Sequence, residues 1–417
     1  MINEKGFYTD QIAMEPLLPE DPSGKLEALA IELVEKAAKL SGTLNPITAA
    51  AIADFLRPMN SYYSNLIEGH DTHPLDIDRA LKNDYSEDKT KRNLQKEAHA
   101  HINVHKKISE EFKDEKNEII PSSVKYLKNL HKSFYDYLPE DFRMVKTKEG
   151  KDKEVVPGEY RDIEVEVGRH IAPHFKKVDA FMERFENTYN PKNGENRLKT
   201  KRIISIAASH YRLAWVHPFL DGNGRVVRLF SDACFMHEKA HALGLWSISR
   251  GLARSNKEYK ERLANADSKR HGNYDGRGNL SNKMLIEFCE YFLKVAIDQV
   301  EFMLSVIDTN NMLKRIEGFS DLMVVKDKMK PEAKYILKEL FSKGKTSKTE
   351  AMRLTNTTDK TIKLIADSLV EMDLLEMKKE SIAMIYYVKY PLTFSPMIFP
   401  GLYPMDKEID MMNKLSK

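Results

Sequence analysis

Twelve consecutive residues, His217-Pro-Phe-Leu-Asp-Gly-Asn-Gly-Arg-Val-Val-Arg228, bring together a base, a hard-metal ligand, a glycine turn and two arginines. Gly222-Asn223-Gly224 can adopt positive φ and lets main-chain N–H groups come close to a ligand. The residues from Arg225 to Met236 read as a buried helix, so the turn opens onto a helix N-terminus. Its unpaired N–H groups and positive dipole end attract anions. Arg225 and Arg228 lie three apart and can both face the turn, as a phosphate clamp requires. Asp221 offers a carboxylate suited to Mg2+ against phosphate oxygens. His217, with an ordinary pKa near ~6.5, suits taking a proton from an attacking hydroxyl. Each feature alone is an ordinary turn, cap or solvated charge. Their joint order and spacing point to a nucleoside triphosphate.

The run matches, at every fixed position, the signature H-x-F-x-[DE]-G-N-G-R-x-x-R of the Fic family, which the chain therefore resembles. The resemblance implies transfer of AMP from ATP to a Ser, Thr or Tyr hydroxyl of a target protein, or of the protein itself, with release of pyrophosphate. It makes His217 the general base, Asp221 the Mg2+ ligand, and Gly222, Asn223 and Gly224 the anion hole. Arg225 and Arg228 would hold the β- and γ-phosphates, and Phe219 would be the buried anchor of the loop. In the Doc-like branch, which phosphorylates its target, a lysine replaces the second glycine. Gly224 stands there instead, implying nucleotidyl transfer.

Ser64-Asn-Leu-Ile-Glu68-Gly69 resembles the family's inhibitory motif, [ST]-x-x-x-E-[GN]. Ser64 and Glu68 are four apart and share a helix face, and Gly69 suits a helix C-terminus. Glu68 paired with Arg228 would remove the arginine meant for the γ-phosphate and place negative charge where phosphate belongs. Some relatives use this glutamate to position water and remove AMP. Alternatives are therefore removal of AMP, another nucleotidyl transfer on the same site, or an ATP-sensing winged-helix regulator that binds DNA.

Pro157-Gly-Glu-Tyr-Arg161 and the alternating stretch 162–173 read as a β-hairpin. By resemblance this is the flap that registers a target segment through strand-like backbone pairing. Tyr259 is a candidate neighbour of the adenine or a core tyrosine. His237-Glu-Lys-Ala-His241 fits the H-E-x-x-H zinc pattern, but its third ligand would fall at Ser247, a poor zinc ligand.

The elements that must position these residues are mostly helical. Helices are expected over 24–41, 46–69, 94–116, 121–138, 178–189, 198–216, 223–239, 256–271 and a single long 282–315. Beyond Lys330-Pro331, helices at 332–343, 347–355 and 359–372 and a hairpin at 375–390 resemble a winged helix-turn-helix, with Lys360, Thr361 and Lys363 on the recognition helix and Lys378 and Lys379 near the wing. The expected fold is an all-α Fic core with a small β-flap and a C-terminal winged-helix α+β domain. Its parts are an inhibitory region 1–93, a core 94–315, a linker 316–330, a winged helix 331–392 and a tail 393–417 that packs on the body or a second subunit.

Residues 330–390 hold twelve Lys or Arg against nine Asp or Glu. That excess is small for a DNA reader, so a protein-binding role is favoured over DNA. The 417 residues are 41% apolar and 31% charged with a net charge of +3, too little to argue for nucleic acid. Two cysteines, Cys234 and Cys289, give no disulfide framework. The N-terminus has no apolar leader, and no run of about 18 apolar residues occurs. The expectation is a cytoplasmic protein without a membrane segment, and a homodimer stays open.

Overall fold

The computed structural model describes residues 7–113, 118–147, 150–168, 170–193 and 198–416. The first six residues of the region 1–93 and the far end of the helix expected at 94–116 lie outside them. The fold is mainly helical. In the order of the chain, α1 (Lys25–Ser41) is followed by α2 (Pro46–Ile67), α3 (Pro74–Leu81), α4 (Lys89–Glu111) and α5 (Val124–Asp136). Two small hairpins come next, β1 (Met144–Lys146) with β2 (Asp152–Glu154), and β3 (Glu166–Val167) with β4 (His170–Ile171). Then come α6 (Val178–Tyr189), α7 (Lys199–Val216), α8 (Asn223–His237), α9 (Ile248–Arg254), α10 (Asn256–Ala266) and α11 (Asn282–Val306).

The apolar helix α11 runs through the core and packs on α1, α7, α9 and α10. The pair α7 and α8 carries the signature loop between its members, and α2 lies across α4, α8 and α9. Local chemistry sets the ends of α2. Asn45 caps its start through the N–H of Ile47, Pro46 fills the first helical position, and Gly69 takes φ of 89° just past Glu68.

Several expectations need correction. The helix expected from Leu94 starts at Lys89, where Asp88 accepts the N–H of Lys91. Helices α3 and α9 and the hairpin β1–β2 were not expected, and the flap pairs only two residues a strand. The helix expected at 256–271 stops at Ala266. The long helix 282–315 is two: α11 ends before Ile307, and Asp308 caps α12 (Thr309–Val325) through the N–H of Asn311. Most of the stretch read as linker 316–330 is therefore helical. Both helices bury apolar stripes, so periodicity alone hides the break.

Next along the chain are α13 (Ala333–Lys343), β5 (Lys345–Ser347), α14 (Lys348–Thr355), α15 (Asp359–Glu371), β6 (Leu375–Glu380) and β7 (Ala383–Val388). The strands form an antiparallel sheet in the order β5-β7-β6, with Leu375 opposite Val388. This unit docks on the start of α2, where the Thr48 hydroxyl donates to the Phe341 carbonyl at 2.8 Å. The tail folds into α16 (Ser395–Ile398) and α17 (Met405–Ser416). Among the described residues, no helix is long and apolar enough to cross a membrane.

Candidate active site

Helix α7 ends at Val216 and leaves His217 in the left-handed region, at φ 49° and ψ 59°. This is a strained conformation of the kind found at functional sites. The buried guanidinium of Arg161 fixes it. Arg161 Nε donates to the His217 carbonyl at 2.9 Å, and its terminal nitrogens donate to the carbonyls of Ile163 and Pro173 at 3.0 and 2.5 Å. One arginine thus ties His217 to both Ile163 and Pro173, on either side of the β3–β4 hairpin. His170 on β4 adds a second tie, its Nε2 lying 2.7 Å from the Trp215 carbonyl and its Nδ1 3.0 Å from Asp267. Burial, then His170 and Arg161, push the His217 pKa down to about 4, so its imidazole is neutral near pH 7. A neutral imidazole can accept a proton.

The loop after His217 is closed by Asn223. Its side chain accepts the Phe219 N–H at 2.9 Å and donates to the Phe219 carbonyl at 2.8 Å. The side-chain oxygen and one side-chain N–H are thereby used in closing the loop. Phe219 is fully buried, and its ring stacks on His131 of α5 at 4.0 Å. Gly222 takes φ of 76° above the Tyr135 ring, where a Cβ would come within 3.2 Å. The glycine is needed there for both reasons.

Two α5 residues that the sequence does not single out hold this loop. His131 Nδ1 accepts the Gly158 N–H at 2.8 Å, so its Nε2 carries the proton and donates to the Asp221 carbonyl at 3.2 Å. The Tyr135 hydroxyl donates to Asp221 Oδ2 at 2.7 Å. Four residues apart, they lie on one helical face, but no motif marks the pair. Burial opposes ionisation of Asp221, yet Arg225, Tyr135 and the Gly222 N–H hold its carboxyl below the usual carboxylate range. Its side chain is 42% exposed.

The structure brings Glu68 onto the helix N-terminus. A Cβ at Gly224 would collide with Glu68 Oε1, so the carboxylate lies directly on the glycine. Arg228 Nη2 donates to the same oxygen at 2.7 Å and to the Ser64 carbonyl at 2.9 Å, while Nε donates to the Ser64 hydroxyl at 2.9 Å. Burial opposes the charge on Glu68, but Arg228 and Arg225 outweigh it and keep its carboxyl below the usual range. Arg225 lies over the Phe134 ring, 3.5 Å from Glu97 and 3.6 Å from Asp221. Glu97 also meets His70 Nδ1 at 2.5 Å. Glu97 and His70 carry no sequence signal either, because nothing in their local spacing links them.

Tyr259 is buried, its hydroxyl 2.8 Å from His210 Nε2. It stands beside His210 as a core tyrosine. In the H-E-x-x-H stretch, Glu238 is engaged by Arg202 at 2.8 Å and His241 turns into the interior towards Asp232. No cluster of three or more His, Cys, Asp or Glu able to hold a metal occurs among the described residues.

Comparison with known proteins finds a family match over part of the chain. Residues 77–234 match the profile of the Fic/DOC family. This segment is a Fic/DOC-family domain. It contains the whole signature from His217 to Arg228, whereas Ser64 and Glu68 precede it. The chain is 33% identical to the protein adenylyltransferase Fic of Drosophila mojavensis over 126 residues, 30% of this chain and 24% of that one. It is 32% identical to the protein of the same name from Culex quinquefasciatus over 127 residues, 30% of this chain and 25% of the other. The match thus spans about a quarter of the length of these relatives. Among solved structures, a Fic family protein from Desulfovibrio desulfuricans G20 has a TM-score of 0.51 at 14% identity, covering 89% of this chain and 98% of its own. A Fic domain containing signaling protein from Bacteroides thetaiotaomicron VPI-5482 has a TM-score of 0.50 at 19% identity, covering 66% and 95%. At such identities the likeness establishes the Fic fold.

Proposed function

We propose that this Fic protein transfers AMP from ATP to a hydroxyl side chain of a protein, and that Glu68 holds the reaction down. One observation carries the reading: a carboxylate already sits on the N-terminus of α8 and on Arg228, where a phosphate would bind. With Glu68 withdrawn, the N–H groups of the turn, Arg225 and Arg228 can take the triphosphate. The acceptor oxygen bonds to the α-phosphorus as the bond to the bridging oxygen breaks. The hydroxyl proton passes to neutral His217, and pyrophosphate leaves. Donors fixed before the reaction need no reorganisation as charge shifts to the leaving group.

The residues present fit Mg2+. Asp221 is ionised and partly exposed, one oxygen is oriented by Tyr135, and Mg2+ needs only one or two carboxylates beside substrate phosphates. Bound there, it would neutralise phosphate charge. A glutamate on Arg228 would turn the γ-phosphate aside, and a misplacement of about 1 Å can cost about 100-fold.

The test incubates wild type, Glu68→Gly and Glu68→Gly/His217→Ala with α-labelled ATP, Mg2+ and lysate. Label on protein in the single variant alone is the expected result. An unlabelled single variant that still binds ATP would refute adenylyl transfer. Labelled bands would separate self-modification from a distinct target.

For the C-terminal unit, a winged helix used for protein contacts is favoured over a DNA reader. Three of its lysines are paired with acids: Lys345 with Glu380 at 3.4 Å, Lys378 with Glu376 at 3.1 Å and Lys348 with Asp359 at 2.5 Å. The free thiols of Cys234 and Cys289 suit a cytoplasmic setting.

A further inference from the structure

The C-terminal tail lies across the other face of the inhibitory helix. In α2, Ser64 and Glu68 meet the signature, while the two preceding tyrosines meet the tail. The Tyr63 hydroxyl donates to the Leu402 carbonyl at 2.9 Å, and the Tyr62 and Tyr403 rings meet edge to face at 5.4 Å. Further up the helix, Phe55 packs on Phe399 at 4.8 Å. Phe399, Leu402 and Tyr403 are buried, so this is core packing rather than a surface contact.

The tail then passes the end of α2 and grips the segment just beyond Glu68. Lys407 of α17 pairs with Asp71 at 2.8 Å, and Asp410 lies 3.1 Å from His73 Nε2. The turn that makes these contacts is itself fixed. Glu408 accepts the N–H groups of Gly401 and Tyr403 at 3.0 and 3.1 Å, and Arg250 donates to the Gly401 carbonyl at 2.7 Å. From the other end, α13 holds the start of α2 through Thr48. The helix that bears Glu68 is therefore clamped by segments roughly three hundred positions later in the chain.

Helix ends fray unless something packs on them. The Glu68–Arg228 pair persists only while the last turn of α2 stays in place, and the tail packs on the turn just before it through Tyr62 and Tyr63 and on the segment just after it through Asp71 and His73. Resting on the reading of Glu68 as a brake, we propose that the tail around α17 is a strap that holds the brake closed, and that releasing it activates the enzyme.

The test uses the full chain in a double-mutant cycle. Tyr403→Ala loosens the strap while leaving Ser64, Glu68 and every residue from His217 to Arg228 unchanged. In the wild-type background it should raise labelling about tenfold, inside the roughly 5–150-fold range of coupled sites. In the Glu68→Gly background, where no brake remains, it should change labelling less than about twofold. A strongly labelling Glu68→Gly protein with no gain from Tyr403→Ala, or the same change in both backgrounds, would overturn the strap.

Hydrogen exchange gives a readout that does not depend on adenylyl transfer. The α2 amides from Ser61 to Glu68 should exchange about tenfold faster in Tyr403→Ala, and unchanged exchange would overturn the proposal even if no variant labels protein. Should Tyr403→Ala not fold, the surface pair carries the test. Lys407→Glu should raise labelling about two- to fivefold, and Lys407→Glu/Asp71→Lys should bring it back. A raised rate that survives the swap would contradict the strap.

Discussion

The proposed catalytic loop and the proposed brake are built on opposite plans. The loop is local: the proposed base His217, the proposed Mg2+ ligand Asp221, the glycine turn and both arginines come from twelve consecutive residues, closed on themselves by Asn223. The brake is assembled from afar. Arg228 meets residues 160 and 164 positions away, and the tail that holds α2 lies 339 positions from Tyr63. Chemistry that needs fixed geometry is thus encoded in one short segment, and control that must move is spread over several. Damage to the first should abolish function, whereas damage to the second should release it.

The sharpest break of this contrast is His217→Ala in the Glu68→Gly protein. General-base catalysis contributes about 100- to 10,000-fold, so labelling should fall by about that factor while ATP binding, carried by the turn and the arginines, stays within about twofold. A base variant that keeps its turnover would remove His217 from the mechanism. The pH dependence should agree. Because the His217 pKa is pushed down to about 4, kcat/KM of Glu68→Gly should not fall between pH ~7 and ~6. A fall centred near pH ~6.5 would mean that the imidazole is solvated as in water.

Tyr135→Phe probes a residue that supports the loop without belonging to it. The substitution keeps the ring beneath Gly222 and removes only the hydroxyl on Asp221 Oδ2. A hydrogen bond to a charged group is worth about 1.5–3 kcal/mol, which corresponds to about ten- to a hundredfold. We expect a Glu68→Gly/Tyr135→Phe enzyme to need correspondingly more Mg2+ for half-maximal rate, with its plateau rate nearly restored at saturation. A lower plateau at an unchanged Mg2+ requirement would make Tyr135 a packing residue only.

Legibility in the sequence divides along the same line. The signature and Ser64–Glu68 are legible because their spacing is short and their residue types are chemically demanding. His131 and Tyr135 are not, since each acts through a carbonyl or carboxylate brought near by folding, and a His or Tyr on an apolar helix reads as core; Arg161 is named in the flap stretch, but its bond to the His217 carbonyl has no signal in the spacing. His70 and Glu97 are invisible for the same reason, lying 27 positions apart and meeting only across α2 and α4. Among the elements, α6 (Val178–Tyr189) stands at the expected limits because its apolar stripe is regular. The break at Asp308 stays hidden between two apolar stripes.

The smallest effect concerns pH and the end of the brake. His70 lies two residues beyond Glu68 and faces Glu97 of α4, Arg225 of α8 and Glu68 itself. The hydrogen bond to Glu97 raises its pKa above 6.5 while the brake is closed. A group whose pKa is raised in one state stabilises that state below its free pKa, and the contribution disappears as pH rises through the raised value. The closed brake therefore gains from His70 below pH 6.5 and loses that help on the alkaline side. Glu68 has the opposite sign. Its lowered carboxyl stabilises the closed state above the usual carboxylate range, and that contribution is lost as pH falls through the lowered value, so the two windows do not overlap. The labelling rate of wild type divided by that of Glu68→Gly cancels the titration of His217 and reports the brake alone. With the His70 side chain 36% exposed, screening leaves an expected rise of about two- to threefold from pH ~6 to ~8.5. His70→Gln should flatten the ratio. A ratio that rises equally in that variant would move the alkaline sensitivity elsewhere along α2.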